Sequence, residues 1–171
     1  MTDSNTGAGA AGAAPPKELV LTRVFDAPRE LVFKAWTDPR HVAEWWGPHG
    51  FTNPVCELDA RPGGAILIHM LWPDGSTVNP MRGVYHEIVE PERLVFTSTA
   101  MEDEQGKPGL EVLNTVTFAE DNGKTRMTLH ALVVKAAPET AAALAGMEQG
   151  WTESLERLSA YVVSAHRHGA A

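Results

Sequence analysis

Residues 138–165 read PETAAALAGMEQGWTESLERLSAYVVSA, from Pro138 to Ala165, and the fold turns on this stretch. Pro138 suits a first helical turn, and Leu144, Met147, Trp151, Leu155, Leu158 and Val162 recur at helical spacing. About 28 residues at 1.5 Å each predict a single helix of about 42 Å. One apolar stripe of that length must cover a large apolar surface. Gly146 and Gly150 lie on its flank. They predict either a close approach by another backbone or a bend that swings Met147 and Trp151 inward.

Working back from the helix, the surface it covers must be a sheet. ELVLTRVF (Glu18 to Phe25) alternates as a first strand. FDAPRELVFKAWTDPRHVAEWWGP then carries two helix starts, with Asp26 ahead of Pro28 and Asp38 ahead of Pro39, and Gly47-Pro48 ends the second helix. Leu31, Val32, Ala35 and Trp36 form an apolar stripe that Val42, Trp45 and Trp46 continue. Six strand-like runs follow, punctuated by Pro62-Gly63-Gly64, Pro73-Asp74-Gly75, Pro91-Glu92, EQGKPG and Asp121-Asn122-Gly123. Short turns between successive strands imply an antiparallel meander. The predicted fold class is α+β, a curved antiparallel sheet gripping one long helix.

Composition narrows the functional classes. A chain of 171 residues, 43% hydrophobic and 21% charged, suits one globular domain, here residues 17–165. MTDSNTGAGAAGAAPP (residues 1–16) reads as a flexible arm without signal-peptide regions, and residues 166–171 as a frayed tail. The net charge of -8 argues against a nucleic-acid partner, since phosphate binding needs a basic face. No apolar run is long enough for membrane insertion. The single cysteine, Cys56, precludes an internal disulfide and reads as a buried inert thiol. A cytoplasmic location is expected.

VFDAPRELVFKAWTDPRHVAEWWGP, ARPGG, RGVYHEIVEPERLVFT, TVTFAEDNGKTRMTL and GMEQGWTESLERL, in that order, resemble the AHSA1-like (activator of Hsp90 ATPase homologue 1-like) branch of the SRPBCC superfamily. The resemblance spans about Glu18 to Val163. It implies the helix-grip, or Bet v 1/START-like, fold, with a seven-stranded sheet around the C-terminal helix and two short helices after strand 1. It also implies a hydrophobic cavity between sheet and helix, closed at one end by the short helices. Members include lipid carriers, hormone receptors, polyketide cyclases and oxygenase subunits, so function has to come from the cavity.

Ile66, Ile68, Met70 and Trp72 share one face of their strand and are expected to face the helix, leaving His69 outside. On the next strand Gly83, Tyr85 and Glu87 share a face, unless a bulge at Pro80 or Gly83 reverses it. Glu87 is the sharpest polar candidate: a carboxylate in an apolar cavity is a potential acid or base. Its competing reading is a solvated residue or an arginine's partner. Tyr85 would orient a ligand carbonyl or simply fill core. Trp46, Phe96, Asn114, Met147 and Trp151 complete the expected ligand-binding set, with Trp36 read as core. Met70, Met81, Met127 and Met147 are either an adaptable lining or gap-filling core.

The seven histidines lack metal-ligand spacing, so no metal and no cofactor is expected. The leading functional reading is a carrier of an apolar or aromatic small molecule, lipid- or polyketide-like. The alternative is a cyclase, dehydratase or hydrolase using Glu87 or Tyr85 on such a ligand. An Hsp90 co-chaperone ranks last, because the activator carries an additional N-terminal domain that a sixteen-residue arm does not replace. A homodimer would cover the second apolar face of AILIHMLW.

Overall fold

The computed structural model describes residues 18–169. The predicted residues 1–16 lie outside that range. Strand β1 (Glu18–Phe25) leads into helices α1 (Arg29–Thr37) and α2 (Pro39–Trp45). Six strands follow: β2 (Thr52–Leu58), β3 (Ala65–Leu71), β4 (Val78–Val89), β5 (Arg93–Glu102), β6 (Pro108–Asp121) and β7 (Lys124–Ala136). A short 3-10 turn (Pro138–Thr140), helix α3 (Ala141–Ala145) and helix α4 (Met147–Arg167) complete the fold.

The seven strands form one sheet in the order β1-β7-β6-β5-β4-β3-β2, every pair antiparallel. The expected meander is present, with β1 added beside β7. Because β1 and β2 lie at opposite edges, the chain from 26 to 51 must cross the sheet, and the α1/α2 hairpin does so. Register shifts in β2, between β4 and β5, and between β6 and β7 bend the sheet around what it encloses.

The inward faces follow strict alternation in β6 (Val112, Asn114, Val116, Phe118) and in β7 (Met127, Leu129, Ala131), all buried. Against them pack Leu155, Leu158 and Val162 of α4 and Leu31, Val32 and Ala35 of α1. Outside, Leu67, His69 and Leu71 of β3 remain half-exposed.

Three details differ from expectation. Asp26 does not cap α1; Pro28 occupies the cap position and makes no side-chain bond there. Asp38 does cap α2, accepting from the Arg40 amide at 2.9 Å. The predicted single helix is interrupted at Gly146 (φ -92, ψ 1), separating α3 from α4. No other backbone comes near either glycine: a Cβ on Gly150 would meet nothing within 4 Å, and one on Gly146 only the carbonyls of its own preceding turn. Helix α4 also continues through His166 to Arg167, into the predicted tail.

The glycines that do admit a neighbouring backbone stand elsewhere. A Cβ on Gly64 would sit 1.8 Å from the Asp59 carbonyl oxygen, and one on Gly83 2.3 Å from that of Thr97. Gly63 N–H donates to the Tyr85 carbonyl (2.7 Å) and Tyr85 N–H to the Gly64 carbonyl (2.9 Å). The RPGG turn is thereby laid onto β4 at the residue that proves central to the pocket.

Candidate functional site

A pocket lies between the α1/α2 hairpin and the β2–β5 half of the sheet. Trp36 of α1, Val42 of α2 and Trp46, which caps the end of α2, form its roof. Leu58, Ile66, Ile68 and Met81 line its floor, with Tyr85, Leu94 and Phe96 alongside. No residue of α4 lines it, so this pocket lies beneath the hairpin and not between sheet and long helix as expected. The depression measures about 250 Å³ including its open mouth, but its free interior is only about 10 Å³. That is room for a single water.

The roof is a cluster of aromatic rings. Trp36 meets Trp45 edge-on at 4.8 Å and stacks on Trp151 at 5.9 Å. Trp151 in turn meets Trp46 at 5.3 Å. It therefore backs the roof as a second layer, without lining the pocket. Trp45 is fully buried, and its indole donates to the Ala35 carbonyl at 2.9 Å. Trp46 is half-buried at the end of α2.

The predicted residues separate clearly. Trp46, Ile66, Ile68, Tyr85 and Phe96 line the pocket, as does Met81. Met70 and Met147 are half-buried against the core but do not line it, and Met127 is fully buried. Trp72 falls beyond the end of β3, is 43% exposed and packs on Phe51. Asn114 is buried one strand further on, opposite Phe96. Its Nδ2 donates to Ser98 Oγ at 3.0 Å, and its Oδ1 has no donor among the described residues.

Glu87 requires the largest correction. The β4–β5 register shifts between Tyr85 and Glu87, leaving His86 as an extra residue. Met81 and Tyr85 consequently face inward, while both His86 and Glu87 are exposed and Ile88 returns to the core side. Glu87 pairs with Arg93 at 3.1 Å. The bulge at His86 lies three residues beyond Gly83, where the sequence offers neither glycine nor proline to mark it. The candidate base is therefore outside the pocket.

Tyr85 stays inside, 2% exposed. Its hydroxyl has no hydrogen-bond partner among the described residues and keeps some contact with solvent. Burial raises its pKa well above the ordinary phenol value, so it remains a neutral donor. Cys56 on β2 is half-buried, and burial pushes its thiol up to about 11. Among the described residues no three His, Cys, Asp or Glu side chains assemble a metal site.

The sequence reading assigned several contributors to no site, among them the lining residues Leu58 and Leu94. Trp36, read as core, forms roof, and its stripe position beside Ala35 gave no hint of a free side. Arg157 of α4 closes the open end of α2. Its Nη1 donates to the carbonyls of Trp46 (3.1 Å), Gly47 (3.0 Å) and Pro48 (2.9 Å), and its Nη2 to that of Glu44 (3.1 Å). Ser154 Oγ accepts from Gly47 N–H at 3.1 Å, and Glu153 from His49 N–H at 3.0 Å. The unpaired carbonyls that end any helix were the available signal.

Fold and pocket together define a helix-grip α+β protein whose first helical hairpin roofs an aromatic pocket. Residues 26–163 match the family described as Activator of Hsp90 ATPase homolog 1-like protein, and the chain belongs to that family. A crystal structure of a Chromobacterium violaceum protein is similar at 32% identity, covering 86% of this chain and 97% of that one, with a TM-score of 0.71. The solution structure of an Arthrobacter aurescens protein shares 28% identity over 86% and 87% of the two chains, with a TM-score of 0.76. An AHSA1 protein from Silicibacter pomeroyi shares 26% identity over 87% and 99%, with a TM-score of 0.72. No curated protein matches the chain. None of the described helices is long and apolar enough to cross a membrane.

Proposed function

We propose that the protein binds a small apolar or aromatic molecule in the pocket beneath the α1/α2 hairpin. The observation that carries this reading is the pocket's lining: flat aromatic faces and aliphatic side chains, without a charged group among them. The fold serves as a ligand-binding scaffold, which supports the reading. The free interior of about 10 Å³ is too small for such a molecule, so binding requires the lining to move apart. Entry of a ligand displaces Trp46, the half-exposed member of the roof, and Trp151 behind it moves in concert.

The test is a thermal-shift screen against aromatic metabolites and short lipids, followed by native mass spectrometry of the hits. Binding raises Tm in proportion to occupancy. Trp46→Ala, which removes roof, widens the range of accepted ligands. A screen in which neither the natural chain nor Trp46→Ala responds to any member would overturn the reading.

A further inference from the structure

We infer that the pocket selects a neutral planar aromatic molecule carrying a hydrogen-bond-accepting oxygen, such as an aryl ketone, held by Trp36 Nε1–H and the Tyr85 hydroxyl. This rests on the ligand-binding reading above and specifies its chemistry. Trp36 and Tyr85 both line the pocket, and both are nearly inaccessible at 3% and 2% exposure. The Trp36 indole N–H is buried with no acceptor among the described residues. The contrast with Trp45, whose indole is satisfied by the Ala35 carbonyl, shows that this roof can satisfy an indole from its own backbone. Buried donors are almost always paired, so the unpaired Trp36 indole N–H in this pocket is a specific departure from the rule.

The two donors border the same side chain. Tyr85 stands opposite Phe96 in the β4–β5 register, with ring centroids 6.3 Å apart. Trp36 lies over the same phenyl ring at 6.4 Å. A flat ligand lying against Phe96 would therefore contact both side chains. Asn114, on the far side of Phe96, does not line the pocket and takes no part.

Charge and polarity narrow the ligand class. A carboxylate would be desolvated with no Arg or Lys in the lining to meet it. A pure hydrocarbon would leave the buried Trp36 donor unpaired. A neutral carbonyl or ether oxygen satisfies it, and the Tyr85 phenol, kept protonated by burial, stays a donor across the physiological range.

1-Indanone and indane, which differ by a single carbonyl, provide the test. The full chain is titrated with each by calorimetry and by 1H–15N NMR of the tryptophan indoles. Indanone is expected to bind about tenfold or more tightly than indane, because a site with buried donors rejects the analogue that cannot pair them. The Trp36 indole proton moves downfield with indanone only, and Tyr85→Phe narrows the preference several-fold. Equal binding of both compounds, with an unmoved Trp36 resonance, would overturn the inference and leave the ligand-binding reading standing. Failure of both compounds, together with silence across the wider aromatic screen, would remove both.

Discussion

The guanidinium of Arg157 donates to the carbonyl of Trp46 at 3.1 Å, joining the long C-terminal helix to the last residue of the pocket roof. Three further carbonyls, of Glu44, Gly47 and Pro48, share the same guanidinium. A cation at a helix C-terminus is favourable in itself, and here it also replaces the partners that α2 lacks. The roof's position is thus set by a residue that never touches the pocket.

Arg157→Ala is expected to cost about 2–3 kcal/mol, since charge-assisted bonds to half-buried carbonyls are lost together. Arg157→Lys recovers less than half, because an ammonium cannot reproduce the planar fork. Urea denaturation measures both. Trp46 should become more solvent-accessible in each variant, read as a red shift in tryptophan emission. An unchanged midpoint in Arg157→Ala would show that water replaces the guanidinium without loss.

Two glycine substitutions should behave oppositely. Gly64→Ala drives a Cβ into the Asp59 carbonyl and is expected to lose about 3 kcal/mol or more, or to fail to fold. Gly150→Ala has open space and lies within a helix, so it should stabilise by up to about 1 kcal/mol. Thermal denaturation of the pair decides, and a destabilised Gly150→Ala would contradict the open surroundings of that position.

Cys56 should be a slow thiol. With its pKa pushed up to about 11, the native protein at pH 7.5 holds very little thiolate. Reaction with Ellman's reagent is expected to run about 100-fold slower than in the urea-unfolded chain, whose thiol titrates near its ordinary value of about 8.5. Comparable rates would mean that β2 opens readily at the sheet edge.

His41 should give the stability a pH slope. Its imidazole bonds to the Tyr161 hydroxyl between α2 and α4, and burial lowers its pKa. The nearby Asp38 carboxylate opposes that shift, whereas Lys34 and Arg40 add to it. The unfolded chain therefore takes up the proton first. The contribution is full above the unfolded value of about 6.5 and is lost as pH falls through the lower folded value. Tm measured at pH 7.5 and pH 5 should fall less in His41→Gln than in the natural chain. Equal falls would place the titrating group elsewhere.

Turn chemistry carried most of what could be read from the chain. Pro62-Gly63-Gly64, Pro73-Asp74-Gly75 and Asp121-Asn122-Gly123 each fall between strands where expected, because turns depend on local backbone preferences. The stripe from Leu144 to Val162 likewise marks the core side of the last helices. What was not legible depends on pairing between distant segments. The bulge at His86 arises from β4 meeting β5, and nothing in VYHEIV announces it. Trp36 looked like any apolar residue on an amphipathic helix, because the free side it presents is created by strands fifty residues later. Trp72 misled for the converse reason: its alternation with Met70 continues one residue past the end of the strand.

The extra residue in β4 gives strand register a chemical meaning. Were the strand to alternate unbroken through His86, the Glu87 carboxylate would turn toward the interior and Ile88 out to solvent, whereas deleting His86 would leave both on the sides they now hold. The bulge thus keeps an ionisable group out of an apolar container. The polarity of the pocket is written in the register of the residues between Tyr85 and Ile88 as much as in their identities.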